Sequence, residues 1–76
     1  MPRYFFDIDD GVELRDEIGR ELESGAILRA EALQVAAALV TAEAQDAKET
    51  TLVLTVRDEA GATPLKVRLV NQVEES

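Results

Sequence analysis

A chain of 76 residues with 16 acidic and 8 basic side chains carries a formal charge of −8, and it has neither His nor Cys. That charge repels phosphate backbones and anionic lipid, which argues against nucleic-acid binding by this chain alone and against a membrane surface. Without His or Cys, the Ser-His, Cys-His and zinc arrangements lack their parts, so the expectation is a protein that is not an enzyme and holds no cofactor.

A chain of this length makes one domain, 1–76, and buries only about 60% of the surface its unfolded form exposes. With no disulfide or metal staple, assembly into a homo-oligomer, in the simplest case a dimer, is the expected route to stability. The opening Met-Pro-Arg-Tyr-Phe-Phe-Asp lacks the apolar run of a signal peptide, and no stretch approaches the roughly 20 apolar residues of a membrane span. A cytoplasmic location is expected.

Tyr4 to Ile8 alternates, with Tyr4, Phe6 and Ile8 on one face and Phe5 and Asp7 on the other, which predicts a half-buried strand. Asp9-Asp10-Gly11 predicts a three-residue turn with Gly11 left-handed, pairing Ile8 with Val12, Phe6 with Leu14 and Asp7 with Glu13. In the next stretch, Arg15 to Glu23, Gly19 suggests a second turn, and Ile18 and Leu22 read as plugs over one end of the core. Ser24 is the expected helix N-cap, although the Glu of a capping box is missing.

An Ala-rich helix is predicted from about Gly25 to Lys48. At 100° per residue, Glu31, Gln34, Thr41 and Gln45 form its wet side, while Leu28, Ala32, Leu33, Val35, Ala36, Leu39 and Val40 fill about half the circumference. One sheet needs only about 100° of apolar arc. The surplus flank, Leu28, Val35 and Leu39, is therefore expected to meet another subunit. A helix of about 34 Å should also overhang strands of about 23 Å.

Thr51 to Arg57 and Leu65 to Val70 alternate cleanly, with Leu52, Leu54 and Val56 facing inward in the first and Leu65, Val67 and Leu69 in the second. Their opposite parity requires an even loop, predicted as Asp58-Glu59-Ala60-Gly61 with Gly61 left-handed. Pro64 has no amide donor, so the last strand should begin there or lie at an edge. Residues 71–76 read as a frayed acidic tail. The sum is an α+β fold, a ββαββ two-layer sandwich with a four-stranded, mainly antiparallel sheet and one long helix on one face.

Chemistry is sparse. Asp7, Asp9, Asp10 and Glu13 form the one dense acidic cluster, and Asp7, Asp9 and Glu13 are the candidate ligands for a hard cation such as calcium, against the plainer reading of a solvated turn. Arg57, Lys66 and Arg68 share the outer face of the second hairpin. They either balance the acids of the first hairpin or, with Phe5 as apolar anchor, form a docking surface for another protein.

The opening Met1-Pro2-Arg3-Tyr4-Phe5-Phe6-Asp7, the Asp10-Gly11 turn, Asp16-Glu17-Ile18-Gly19 to Glu21-Leu22, Arg29-Ala30-Glu31-Ala32-Leu33 and Asp58-Glu59-Ala60-Gly61 resemble a family of small uncharacterised proteins of rhizobia and related alphaproteobacteria. That family often has a His where this chain has Asp7, so no role for it carries over. The resemblance covers nearly the whole chain and implies a fold and a bacterial origin, with no activity. A more distant similarity, at fold level, is to antitoxin subunits of bacterial toxin-antitoxin pairs, through the Tyr-bearing strand, the Asp-Gly hairpin and a helix with a Glu-Ala-Leu core. The leading expectation is a non-enzymatic protein-interaction or regulatory module acting as a homodimer. The alternative is a small-ligand or divalent-metal binder, or an antitoxin-like partner-binding subunit.

Overall fold

The computed structural model describes residues 1–75 and has the expected α+β architecture. In chain order the elements are β1 (Arg3–Asp9), β2 (Glu13–Leu14), β3 (Arg20–Glu21), α1 (Ala26–Ala44), β4 (Glu49–Asp58) and β5 (Leu65–Gln72). The sheet runs β2-β1-β4-β5, all antiparallel, and β3 pairs with β1 on the edge it shares with β2. The thin 16 Å axis of the molecule leaves room for one helix on one sheet and for no third layer.

β4 forms at the centre because its alternation is the cleanest in the chain: Leu52, Leu54 and Val56 are all fully buried, while β-branched Thr51, Val53 and Thr55 fill the opposite face. β1 runs beside it with Phe6 opposite Val56 and Ile8 opposite Leu54. β5 flanks the other side with Val67 opposite Leu54 and Leu69 opposite Leu52. β5 follows Pro64 directly and is an edge strand, as the missing amide requires.

The helix packs on β4 and β5 through Leu28, Ala32, Ala36 and Val40, a stripe with a spacing of four. Ala32 and Ala36 are completely buried, and their small side chains bring the helix backbone close to the sheet. Tyr4, Phe6, Leu52, Leu54, Val56 and Val67 complete the core.

Several expectations fail here for identifiable reasons. The first turn keeps its parity but slides by two residues, giving Ile8 opposite Leu14 and Asp9 opposite Glu13. Asp9 and Asp10 bend the chain through their own carboxylates, which accept the amides of Gly11 at 3.0 Å and Val12 at 3.2 Å. The second turn is also longer than four residues. Asp58 Oδ1 gathers the amides of Ala60 and Ala62, and pairing resumes at Leu65 opposite Val56. Gly61 takes the predicted positive φ, +88°.

Ser24 does not cap the helix. Gly25 does, at φ +77°, with no side-chain hydrogen bond. The helix stops at Ala44 because its last turn tightens, Gln45 and Asp46 donating to Ala42 and Glu43, so it is about 28 Å long against about 33 Å for β4 and does not overhang. Leu22 packs on the core as expected, but Ile18 is 81% exposed. The tail is shorter than expected: Asn71 and Gln72 pair with Thr50 and Glu49, and Val73 donates to Lys48 at 2.7 Å. Ser76 lies outside the described residues.

Candidate functional site

The charged side chains that the sequence points to are mounted on the sheet face away from the helix. Odd-numbered residues of β1 and β4 and even-numbered residues of β5 point there, so Phe5, Asp7 and Asp9 stand beside Val53, Thr55 and Arg57, with Lys66 and Arg68 beyond.

Asp7 is not opposite Glu13. It is held by Arg57, which donates Nε to Oδ2 and Nη2 to Oδ1, the latter at 3.2 Å. The same Nη2 donates to the carbonyl of Asp16 at 2.9 Å, and the guanidinium lies 4.9 Å from the Phe5 ring centre. A fork bound on both prongs and stacked on an aromatic is a tightly specified Arg.

Asp16 occupies the gap between β2 and β3. Its Oδ2 accepts the Phe6 amide at 3.1 Å and its Oδ1 accepts those of Ile18 and Gly19, both at 3.0 Å, while its own amide donates to Asp7 at 2.9 Å. One carboxylate thereby replaces the strand that β1 lacks at this point.

These contacts set the acidities. The Arg57 hydrogen bond, aided by the Asp16 amide, holds the Asp7 carboxyl below the usual carboxylate range against the opposing effect of burial. At Asp16, burial works upward, but the amides of Gly19, Phe6 and Ile18 together outweigh it and the group is lowered. Beyond the end of β1, the interaction of the exposed Asp10 and Glu43 carboxyls with each other lowers Asp10 and raises Glu43.

The sequence-predicted residues divide into three groups. The acids Asp7, Asp9 and Glu13 line one shallow depression, but Asp7 is bound to Arg57 and Asp9 serves the turn. Among the described residues no group of three acidic side chains is placed to hold a metal ion. The helix flank is a correction. Leu28 is 4% exposed, and Val35 and Leu39 pack against the core, because the stripe facing β4 and β5 is wide enough to take all three. Phe5 is half-buried beneath Arg57, so neither it nor Arg57 stands free. Lys66 and Arg68 are exposed on the outer face and make no ion pair among the described residues.

Sequence reasoning missed the role of Asp16, whereas Val70, 65% exposed, lies on the outer face that the alternation of the last strand assigns to it. It also missed Arg20, which lies over the Phe6 ring at 4.6 Å and binds Glu31 of the helix at 2.9 Å, drawing that residue from the expected wet side. An Asp with a Gly three residues later, as in Asp16 to Gly19, is a turn signal that could have exposed the first of these.

No helix among the described residues is long and apolar enough to cross a membrane. No curated protein and no solved structure matches the chain. The family model for DUF6894, a domain of unknown function, matches residues 3–70, nearly the whole chain, and the chain therefore belongs to the DUF6894 family.

Proposed function

We propose that this domain is a non-catalytic protein-interaction module that works as a homodimer. The observation that carries the reading is the outer face of the sheet, which no helix covers around Val53 and Thr55, whereas on the other face the one helix lies over β4 and β5. Val53 and Thr55 at the middle of that face and the strongly exposed Val70 near its edge are what a partner would cover. The groups best suited to acid-base work, Asp7 and Asp16, are already engaged by Arg57 and by backbone amides, which favours a structural role for them over a reactive one.

Light scattering across a concentration series tests the proposal. A dimer is expected at tens of micromolar, and a monomer persisting to about 1 mM, where even weak complexes form, would overturn it. A bacterial, alphaproteobacterial origin and a cytoplasmic location belong to the same proposal and rest on the amino-acid sequence alone.

A further inference from the structure

The outer face of the sheet has separated charges. Across the strands, the register lines up Glu13, Asp9, Val53 and Arg68 in one row and Asp7, Thr55 and Lys66 in the next. With Asp7 held by Arg57, the shallow depression around Val53 and Thr55 is lined by two further acids, Asp9 and Glu13, on the β2/β1 side and two bases, Lys66 and Arg68, on β5, while Glu49 at the start of β4 adds an exposed acid farther along the same face. Strands lie about 4.8 Å apart, so Asp9 and Arg68 are separated by about 10 Å with Val53 between them. Their charges do not meet within one copy: Lys66 and Arg68 stay unpaired among the described residues of a chain that has twice as many acids as bases.

We infer that the occupant of this face is a second copy of the same chain, stacked sheet on sheet about a two-fold axis that runs parallel to the strands between β1 and β4. The inference rests on the homodimer reading above and names its surface and symmetry. Rotation about that axis exchanges the two sides of the sheet. It lays β5 of one copy over β2 of the other and brings Lys66 and Arg68 against the partner copy's acidic row on both sides at once. A two-fold axis in the interface but perpendicular to the strands would instead set acid on acid and base on base, so charge selects between the two symmetric stackings.

Aligned sheets pack about 10 Å apart with interdigitated side chains, which suits the Val53, Thr55 and Val70 surface between the charged rows. The competing contact, β5 edge to β5 edge centred on Val67, would set Lys66 opposite Arg68 and is disfavoured by like charge.

The test is a charge exchange in the full chain. The double variant Lys66→Glu/Arg68→Glu leaves the depression lined by acids with no base. The double variant Asp9→Asn/Glu13→Lys removes both free acids of the depression, adds a base, and keeps an oxygen at position 9 for the Gly11 amide. Each alone should be monomeric with an unchanged circular dichroism spectrum, its dimer dissociation constant raised about 100-fold by like-charge contact. Mixed in equal amounts, the two should form a one-to-one heterodimer in native mass spectrometry. In the wild type, dilution should shift the NMR signals of Val53, Thr55 and Arg68 and leave those of exposed helical Gln34 and Thr41 in place. If both variants dimerise like the wild type, if the mixture stays monomeric, or if the dilution shifts fall on the helix, this face is the wrong one, although the homodimer reading survives. A monomeric wild type removes both.

Discussion

The carboxylate of Asp16 does for Phe6 what a neighbouring strand would do: its Oδ2 accepts the Phe6 amide at 3.1 Å where β1 has no strand beside it. Because its Oδ1 also holds the amides of Ile18 and Gly19, one side chain closes the interruption between β2 and β3. Asp16→Ala should cost about 1–3 kcal/mol by leaving these donors unpaired, and Asp16→Asn, which retains one acceptor oxygen, should cost less. Urea unfolding measures both, and an Asp16→Ala midpoint equal to that of the wild type would sink the assignment.

Gly19 and Gly61 both have positive φ, +73° and +88°, yet they differ in their surroundings. A Cβ at Gly61 meets nothing within 4 Å, whereas one at Gly19 lies 2.9 Å from the Tyr4 carbonyl oxygen and 2.9 Å from the Phe5 ring. Gly61→Ala should therefore cost only the backbone strain, about 1–2 kcal/mol. Gly19→Ala carries the same strain together with a clash against backbone that cannot swing away, and thermal unfolding should rank it well below Gly61→Ala.

The pH dependence has a defined sign. Asp7 and Asp16 titrate lower in the folded chain than in the unfolded one, so their stabilisation is present above the ordinary carboxylate range and is lost as pH falls through their folded values. Glu43 acts in the opposite sense: its raised value favours the fold at low pH and loses that contribution as pH rises, while Asp10, lowered by the same interaction, opposes it. Melting temperature should drop below about pH 4. Asp7→Asn should flatten that drop and lower the plateau at neutral pH; a profile as steep as that of the wild type would count against the Arg57 pair.

Thr50 is 8% exposed, and its Oγ1 has no hydrogen-bond partner. Thr50→Val keeps the shape and removes a buried hydroxyl that gains nothing from burial, so it should stabilise by about 1 kcal/mol. Differential scanning calorimetry that finds the variant less stable would show that this hydroxyl is satisfied in solution.

What could be read from the sequence was whatever repeats. The alternation of Leu52, Leu54 and Val56 with Leu65, Val67 and Leu69 gave β4 and β5 and their relative parity, because a one-residue slip would turn every leucine outward. The alternation in β1 was equally legible. Its hairpin register was not, since a slip of two residues preserves parity and leaves the pattern silent. The arc that carries Leu28, Val35 and Leu39 looks surplus against a generic sheet, whereas this helix rests on two strands and uses all three. Arg57 reaches Asp7 and Asp16 across 50 and 41 positions, and Asp16 reaches Phe6 across 10, and such contacts have no period. On the outer face, the acidic and basic residues could each be named from the sequence, but their separation across Val53 needed the strand order.

β1 and β4 are neighbours in space although Asp7 and Arg57 stand fifty positions apart. During synthesis the first strand therefore leaves the ribosome long before its principal neighbour exists, with only the two-residue stubs of β2 and β3 to shelter Tyr4 and Phe6. Closing so long a loop is entropically slow, so productive collapse waits for the second half of the chain. The acidic residues around the first turn would keep the nascent segment soluble through that delay.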